Sequence, residues 1–149
     1  MSEGGDVLVR RLSQQDRELA RATFICMAEV FGEAHAALSD AYVDALLGRA
    51  ELWVFAAIEA GSVVGGLTAH TLPMTTSERA EVFLFDIAVA PEQQRRGIGR
   101  RLVEALRREA GRWGISTVFV LADDEDSEAL SFYAALGGRP SKVTQFEFE

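Results

Sequence analysis

Phe83-Leu-Phe-Asp-Ile-Ala-Val-Ala-Pro-Glu-Gln-Gln-Arg-Arg-Gly-Ile-Gly-Arg-Arg-Leu102 is the stretch on which the fold turns. Its apolar run from Phe83 to Val89 reads as a buried strand, with Asp86 its one polar interruption. Pro91 stops the strand, and Gln94-Arg95-Arg96-Gly97-Ile98-Gly99 forms a tight turn that opens directly into a helical pattern. The two glycines permit positive φ and a close backbone approach to a ligand. A helix start offers unsatisfied N–H groups and a positive dipole end, which together suit an anion such as pyrophosphate. Arg95, Arg96, Arg100 and Arg101 crowd the same turn with guanidinium groups matched to phosphate oxygens. The cradle is neither of the two commonest kinds. A Walker loop needs Lys-Ser/Thr where Arg100-Arg101 stand, and a dinucleotide fingerprint needs a third glycine.

Outward from this stretch, the chain reads as alternating short elements. Asp6 to Leu12 is a first strand, and Ser13 caps a helix from Gln14 to about Val30. Ser39-Asp40 caps a second helix through about Leu47, stopped by Gly48. Leu52–Ile58 and Ser62–Thr71 are strands joined by a hairpin signal at Glu59-Ala60-Gly61. The helix after the cradle presents Ile98, Leu102, Val103, Leu106, Ala110 and Trp113 on one side. Ile115–Ala122 is an apolar strand running into Asp123-Asp124-Glu125-Asp126. A short helix follows to Leu136, and Val143–Phe148 closes the chain as an alternating strand. The order predicts an α/β (α+β) layer fold, one domain over residues 1–149 with helices on a mostly antiparallel sheet.

Composition narrows the function classes. At 149 residues and 48% hydrophobic content the chain can bury a full core. No apolar run approaches the ~20 residues a membrane span needs, and the polar start Met1-Ser-Glu-Gly-Gly-Asp is no secretory signal. One cysteine, Cys26, fits a reducing cytoplasm, and scattered His35, His70 and Cys26 predict no metal site. The histidines read as packing or surface residues. A net charge of −8 argues against nucleic acid and favours a cationic substrate.

The pattern Gln/Arg-x-x-Gly-x-Gly/Ala after a strand ending in Ala-Val-x-Pro resembles the acetyl-CoA-binding motif of the GNAT superfamily of N-acetyltransferases. The resemblance implies a sheet whose central strands splay apart, and acetyl-CoA as co-substrate with no metal. It assigns the cofactor to Gln94, Arg95, Arg96, Gly97, Ile98, Gly99 and Arg100, with a backbone N–H among Ile87, Ala88 and Val89 for the developing oxyanion. Ser131-Phe-Tyr-Ala-Ala-Leu-Gly137 resembles the Tyr-x-x-Leu-Gly element of the same enzymes, which implies Tyr133 as the acid that protonates the departing thiolate.

A wider likeness, through Phe31-Gly-Glu33, Ser39–Val43, Val63–Gly66, Phe85–Val89 and Phe146-Glu-Phe148, is to the class I aminoglycoside 3-N-acetyltransferases. It implies transfer of acetyl to the 3-amino group of a 2-deoxystreptamine aminoglycoside, and a homodimer. The chain departs from that family at Phe83 and Phe85, where tyrosines are usual, and at Leu121 and the loop after it. Asp86, a carboxylate inside an apolar strand, is the expected substrate anchor or general base, facing either way because central strands carry bulges. Asp123, Asp124 and Asp126, with Glu33 and Asp40 from the early helices, are the expected partners of a polycation. Two other classes stay open. One is a GNAT acting on a polyamine, an amino acid or a peptide N-terminus; the other is a non-catalytic acyl-CoA-binding module, for which Tyr133 would have no use.

Overall fold

The strands β1 (Val7–Arg11), β2 (Leu52–Glu59), β3 (Ser62–Pro73), β4 (Ala80–Val89) and β5 (Val118–Val120) lie side by side in chain order, in a computed structural model that describes residues 5–149. The first four residues of the polar start lie outside the described residues. The first three junctions are antiparallel. β4 and β5 are parallel, since the helix α3 (Ile98–Arg112) carries the chain back between them. The sheet is therefore mixed and mostly antiparallel, flanked by helices, as the resemblance implied. Between β2 and β3, Ala60 (φ 51°) and Gly61 (φ 80°) make the two-residue turn that the hairpin signal predicted.

Each face of the sheet has its own core. α3 lays Ile98, Leu102, Leu106 and Ala110 on Trp53, Phe55, Leu67, Val82 and Leu84. On the other face α1 (Arg17–Phe31) and α2 (Asp40–Leu47) cover Val54 and Ala56 with Ala20 and Val43. Alternate residues of β2 thus serve opposite cores, which is why Leu52–Ile58 reads as an unbroken apolar run. Arg11 ties the α3 side together. Its guanidinium sits 4.9 Å over the Trp53 ring and donates to Glu109 at 3.0 Å.

Several boundaries differ from the sequence expectation. α1 begins at Arg17, three residues late, because Asp16 folds back to accept from the Ser13 backbone N–H and pairs with Arg10. Trp113 is 66% exposed beyond the last turn of α3, where its indole N–H donates to Glu109. β5 shrinks to three residues. The closing strand expected at 143–148 is irregular chain outside any ladder among the described residues, with Val143, Phe146 and Phe148 exposed. Alternation alone does not hold a strand; a neighbour must supply hydrogen bonds, and within this chain that segment has none.

Gly66 sets the height of α1 above the sheet. A Cβ there would lie 2.4 Å from Thr23 Cγ2 and 3.0 Å from Met27 Sδ. Thr23 is buried, and its hydroxyl donates to the Leu19 carbonyl. Gly66→Ala is expected to lower stability by about 1–3 kcal/mol through overpacking, read as a fall in the urea midpoint at unchanged m-value.

Candidate active site

Hydrogen bonding between β4 and β5 stops early. Val82, Phe83 and Leu84 pair with Val118, Phe119 and Val120, and the rest of β4 continues to Val89 beside β3 alone. A bulge at Phe85 accompanies the parting, since Thr68 pairs with Asp86 while Ala69 pairs with Leu84. The bulge settles the question of facing. Val82 and Leu84 belong to the α3 core, and so do Ile87 and Val89, so Asp86 and Ala88 point to the opposite face with Phe83 and Phe85. Backbone direction follows by alternation. Ala90 N–H donates to Val64 on β3, which turns Ile87 and Val89 toward the open edge and Ala88 toward β3. Of the three expected oxyanion donors, Ala88 is therefore occupied by the ladder.

On the α3 side the parting opens into a cavity of about 620 Å³. Val89, Gln94, Arg95, Gly97, Ile98, Gly99 and Arg100 form one wall. The helix α4 (Ser127–Ala135) supplies the other through Ser127, Glu128, Ser131, Phe132 and Ala135, with Leu136 just beyond it. The two glycines act differently. Gly97 is the α3 N-cap in the left-handed region (φ 79°), with open space where a Cβ would go. Gly99 gives room to a neighbour, since a Cβ there would press Phe132 at 3.2 Å. Arg95 also takes positive φ (66°), which is strained for a residue with a side chain. The Gln94 amide Nε2 donates to the Val89 carbonyl at 2.9 Å, fastening the turn to the strand end.

Arg96 leaves this group. It pairs with Glu59 at 3.0 Å and donates to Gln93 and the Gly5 carbonyl, bracing the turn against the β2–β3 hairpin. Arg96, expected at the cofactor phosphates, is here held by the Glu59 carboxylate, which accepts from both of its Nη groups, and does not line the cavity. Tyr133 lies in a second cavity of about 320 Å³, with Leu84, Val103, Val120 and Gly138, and the two cavities share Leu136. Burial raises the phenol pKa, and Asp126 and Asp86 push it the same way, so it keeps its proton at neutral pH.

Asp86 is exposed by area yet bordered by apolar strand. Desolvation raises its pKa, the charge of Glu33 adds to the rise, and His70 opposes it. Glu33 is thus near enough for its charge to act on Asp86. Asp40 does not join them. It bonds Arg21 and Arg17, and Asp44 takes Arg17 at 2.6 Å, so these carboxylates lock α2 to α1. Asp126 caps α4 by accepting from Ala129 N–H, Asp123 accepts from Glu125 N–H, and Asp124 is exposed. The sequence reading missed Phe132, Ser131 and Leu136 as cavity wall, although the Tyr-x-x-Leu-Gly pattern brackets them. It also missed His70, whose only signal was its place two residues from Thr68 on β3. Among the described residues no cluster of three His, Cys, Asp or Glu could hold a metal ion, and no helix is long and apolar enough to cross a membrane.

Comparison with known proteins follows the same lines. The sequence profile described as the acetyltransferase (GNAT) family matches residues 16–137. An aminoglycoside acetyltransferase from an uncultured soil metagenomic sample superposes with a TM-score of 0.91 at 31% identity, over 97% of this chain and 98% of its own. A second soil metagenomic aminoglycoside acetyltransferase, solved in complex with sisomicin, gives 0.91 at 28% identity over 96% and 95%. The ribosomal protein bS18-alanine N-acetyltransferase of Escherichia coli (strain K12) is 39% identical over 57 residues. This chain spans 38% of the length of that curated relative, and the match takes in 38% of this chain.

The turn geometry makes two stability expectations. Gly97→Ala is expected to cost about 1–2 kcal/mol, the penalty of a side chain in the left-handed region. Arg95→Gly relieves that same penalty and is expected to leave the melting temperature unchanged or raise it. A fall in melting temperature for Arg95→Gly comparable to that of Gly97→Ala would refute the strained turn.

Proposed function

The chain belongs to the acetyltransferase (GNAT) family, and from that premise we propose that it is an acetyl-CoA-dependent N-acetyltransferase acting on a cationic amine. One observation carries this reading: a cavity at the arginine-rich start of α3 opens where β4 leaves β5, with Tyr133 in the adjoining cavity and Asp86 on β4 just past the last β5 pair. Its shape and donors fit the co-substrate. Gln94, Arg95, Gly97, Ile98, Gly99 and Arg100 would hold the pyrophosphate, and the apolar wall of Phe132, Ala135 and Leu136 would flank the pantetheine arm. Acetyl-CoA supplies an activated acetyl thioester, whose C–S bond breaks as a C–N bond forms to the amine.

The residues divide the remaining work. The N–H groups of Ile87 and Val89, on the open edge of β4, are placed to stabilise negative charge on the acetyl oxygen. Asp86 takes a proton from the acceptor ammonium, which has no lone pair until it loses one. Tyr133 delivers its phenolic proton to the departing thiolate. Asp124 and Glu33 remain as charge partners for further ammonium groups. Asp40 drops out of that role because it is bonded to two arginines.

Two acceptor classes have support. Solved structures at 28–31% identity over nearly the whole chain are aminoglycoside acetyltransferases, which favours an aminoglycoside. Curated relatives matched over 57 residues include bS18-alanine N-acetyltransferases, which favours a peptide N-terminus. The narrower expectation of the 3-amino position gives way to this broader class. A homodimer completes the reading, supported by the exposed alternating tail 143–148 and the open outer edge of β5. The single cysteine supports a reducing, cytoplasmic setting, and burial raises its thiol pKa.

Thiol release from acetyl-CoA, with mass spectrometry of the product, tests the reading against sisomicin, an alanine-initiated peptide and spermidine. CoA binding without turnover of any amine would leave a binding module instead. Tyr133→Phe keeps the ring while removing the proton donor. It is expected to lower kcat by ~10²–10⁴-fold with little change in the KM for acetyl-CoA.

The pH profile has a definite sign. Asp86 must be ionised to accept a proton, so kcat/KM falls as pH drops through its raised pKa, above the ordinary ~3.9 of Asp. Glu33→Gln removes a negative charge that opposes ionisation, so the acid limb is expected to move to lower pH. A limb that stays put would separate Glu33 from the base.

A further inference from the structure

On the face of the sheet away from the cavity, four rings form a continuous row. Phe119 stacks on Phe83 with centroids 4.9 Å apart and planes 1° from parallel. Phe83 stacks on Phe85 at 5.6 Å and 25°, and Phe85 meets His70 at 5.6 Å and 52°. Packing explains Phe83 and Phe119, which are half-buried, but leaves Phe85 unaccounted for: its ring is 50% exposed on an inner strand. The bulge at that residue is what turns Asp86 onto the same face. Leu72, two residues past His70 on β3, extends the apolar surface and is 39% exposed. An exposed apolar row thus ends at a carboxylate whose ionisation Glu33 opposes, two residues beyond Leu84, whose pairing with Val120 is the last of the β4–β5 ladder. Exposed apolar surface of this kind marks a contact surface. Negative charge at its end selects a cation.

We propose that the row His70–Phe85–Phe83 is the platform on which the acceptor lies, holding a rigid ring that bears the reacting ammonium beside Asp86. The proposal rests on the acetyltransferase reading above and deepens it. Phe85 and Phe83 determine which amines are accepted, and Asp86 alone handles the proton. A saturated ring such as an amino sugar lays C–H groups against the exposed part of Phe85, while its ammonium pairs with the Asp86 carboxylate. A linear amine reaches Asp86 but brings no ring to cover Phe85. The Phe85 ring therefore contributes to binding of the first class and hardly to the second.

The test compares wild type, Phe85→Ala and Phe85→Leu on sisomicin, on spermidine and on an alanine-initiated peptide. Circular dichroism and melting temperature show that both variants are folded. Phe85→Ala is expected to raise the KM for sisomicin about tenfold, the size of one aromatic contact. The KM values for spermidine and acetyl-CoA should stay within about twofold. Phe85→Leu, apolar but without a ring, should fall between. Equal losses on ring-borne and linear amines, or no loss on either, would overturn the platform. If wild type turns over no amine, calorimetry decides separately: sisomicin binding that Phe85→Ala weakens keeps the platform while the catalytic reading fails, and absence of binding removes it. If Phe85→Ala instead converts a dimer to a monomer in sedimentation velocity, with amine kinetics unchanged, the row is an interface between copies and the proposal is wrong.

Discussion

Three residues of β4 hydrogen-bond to β5 and the following five do not, and from this truncated ladder the candidate site follows. A strand inside a sheet normally has both edges satisfied, because an unmet buried N–H is costly. Here the bulge at Phe85 bends β4 while Phe132 and Leu136 from the α4 side, with Ile98 from α3, line the opening. The open edge leaves Ile87 and Val89 N–H groups available beside a cavity. It also joins two faces of a sheet that are otherwise sealed from each other by their cores. A reaction between two substrates needs such a junction, with one partner entering from each side.

Close approach elsewhere is set by missing side chains. Gly66 lets α1 rest on β3, and Gly65 faces the Ala88 carbonyl, where a Cβ would come within 2.9 Å. Gly99 lets the first turn of α3 meet Phe132. These contacts fix the distance between the layers that frame the gap. Because packed interiors yield little, an added methyl at any of them displaces a neighbour. The surface ion pairs act more weakly, each contributing about 0–1 kcal/mol, but they choose which acids remain available.

The electrostatics sort the acidic residues by partner. Asp16, Asp44 and Glu59 each bond an arginine, and Asp40 and Glu109 each bond two. Asp123 and Asp126 hold backbone N–H groups at the start of α4. Asp86 has neither kind of partner among the described residues; its pKa rises through desolvation and through Glu33. A carboxylate kept in that condition is a better proton acceptor than one neutralised by an arginine, and it stands next to the most exposed ring of the sheet face.

By itself the sequence determined the elements and the turn. Apolar runs and a hairpin signal marked β2 and β3, the glycines of the turn announced positive φ where Gly97 caps α3, and Ser39 announced the cap of α2, because these depend on local dihedral preference and period. The grouping of Gln94, Arg95, Gly97, Gly99 and Arg100 around one cavity was legible for the same reason: neighbours in a turn remain neighbours in space. What only the tertiary structure decided depends on pairing. The facing of Asp86 turned on a bulge that exists only against β3. The loss of Arg96 and Asp40 from the site turned on Glu59, Arg17 and Arg21, distant in sequence. The failure of 143–148 to form a strand turned on the lack of a partner. His70 joined Phe85 and Asp86 because β3 and β4 align them across the sheet, a registry fixed by two strands together and by neither alone.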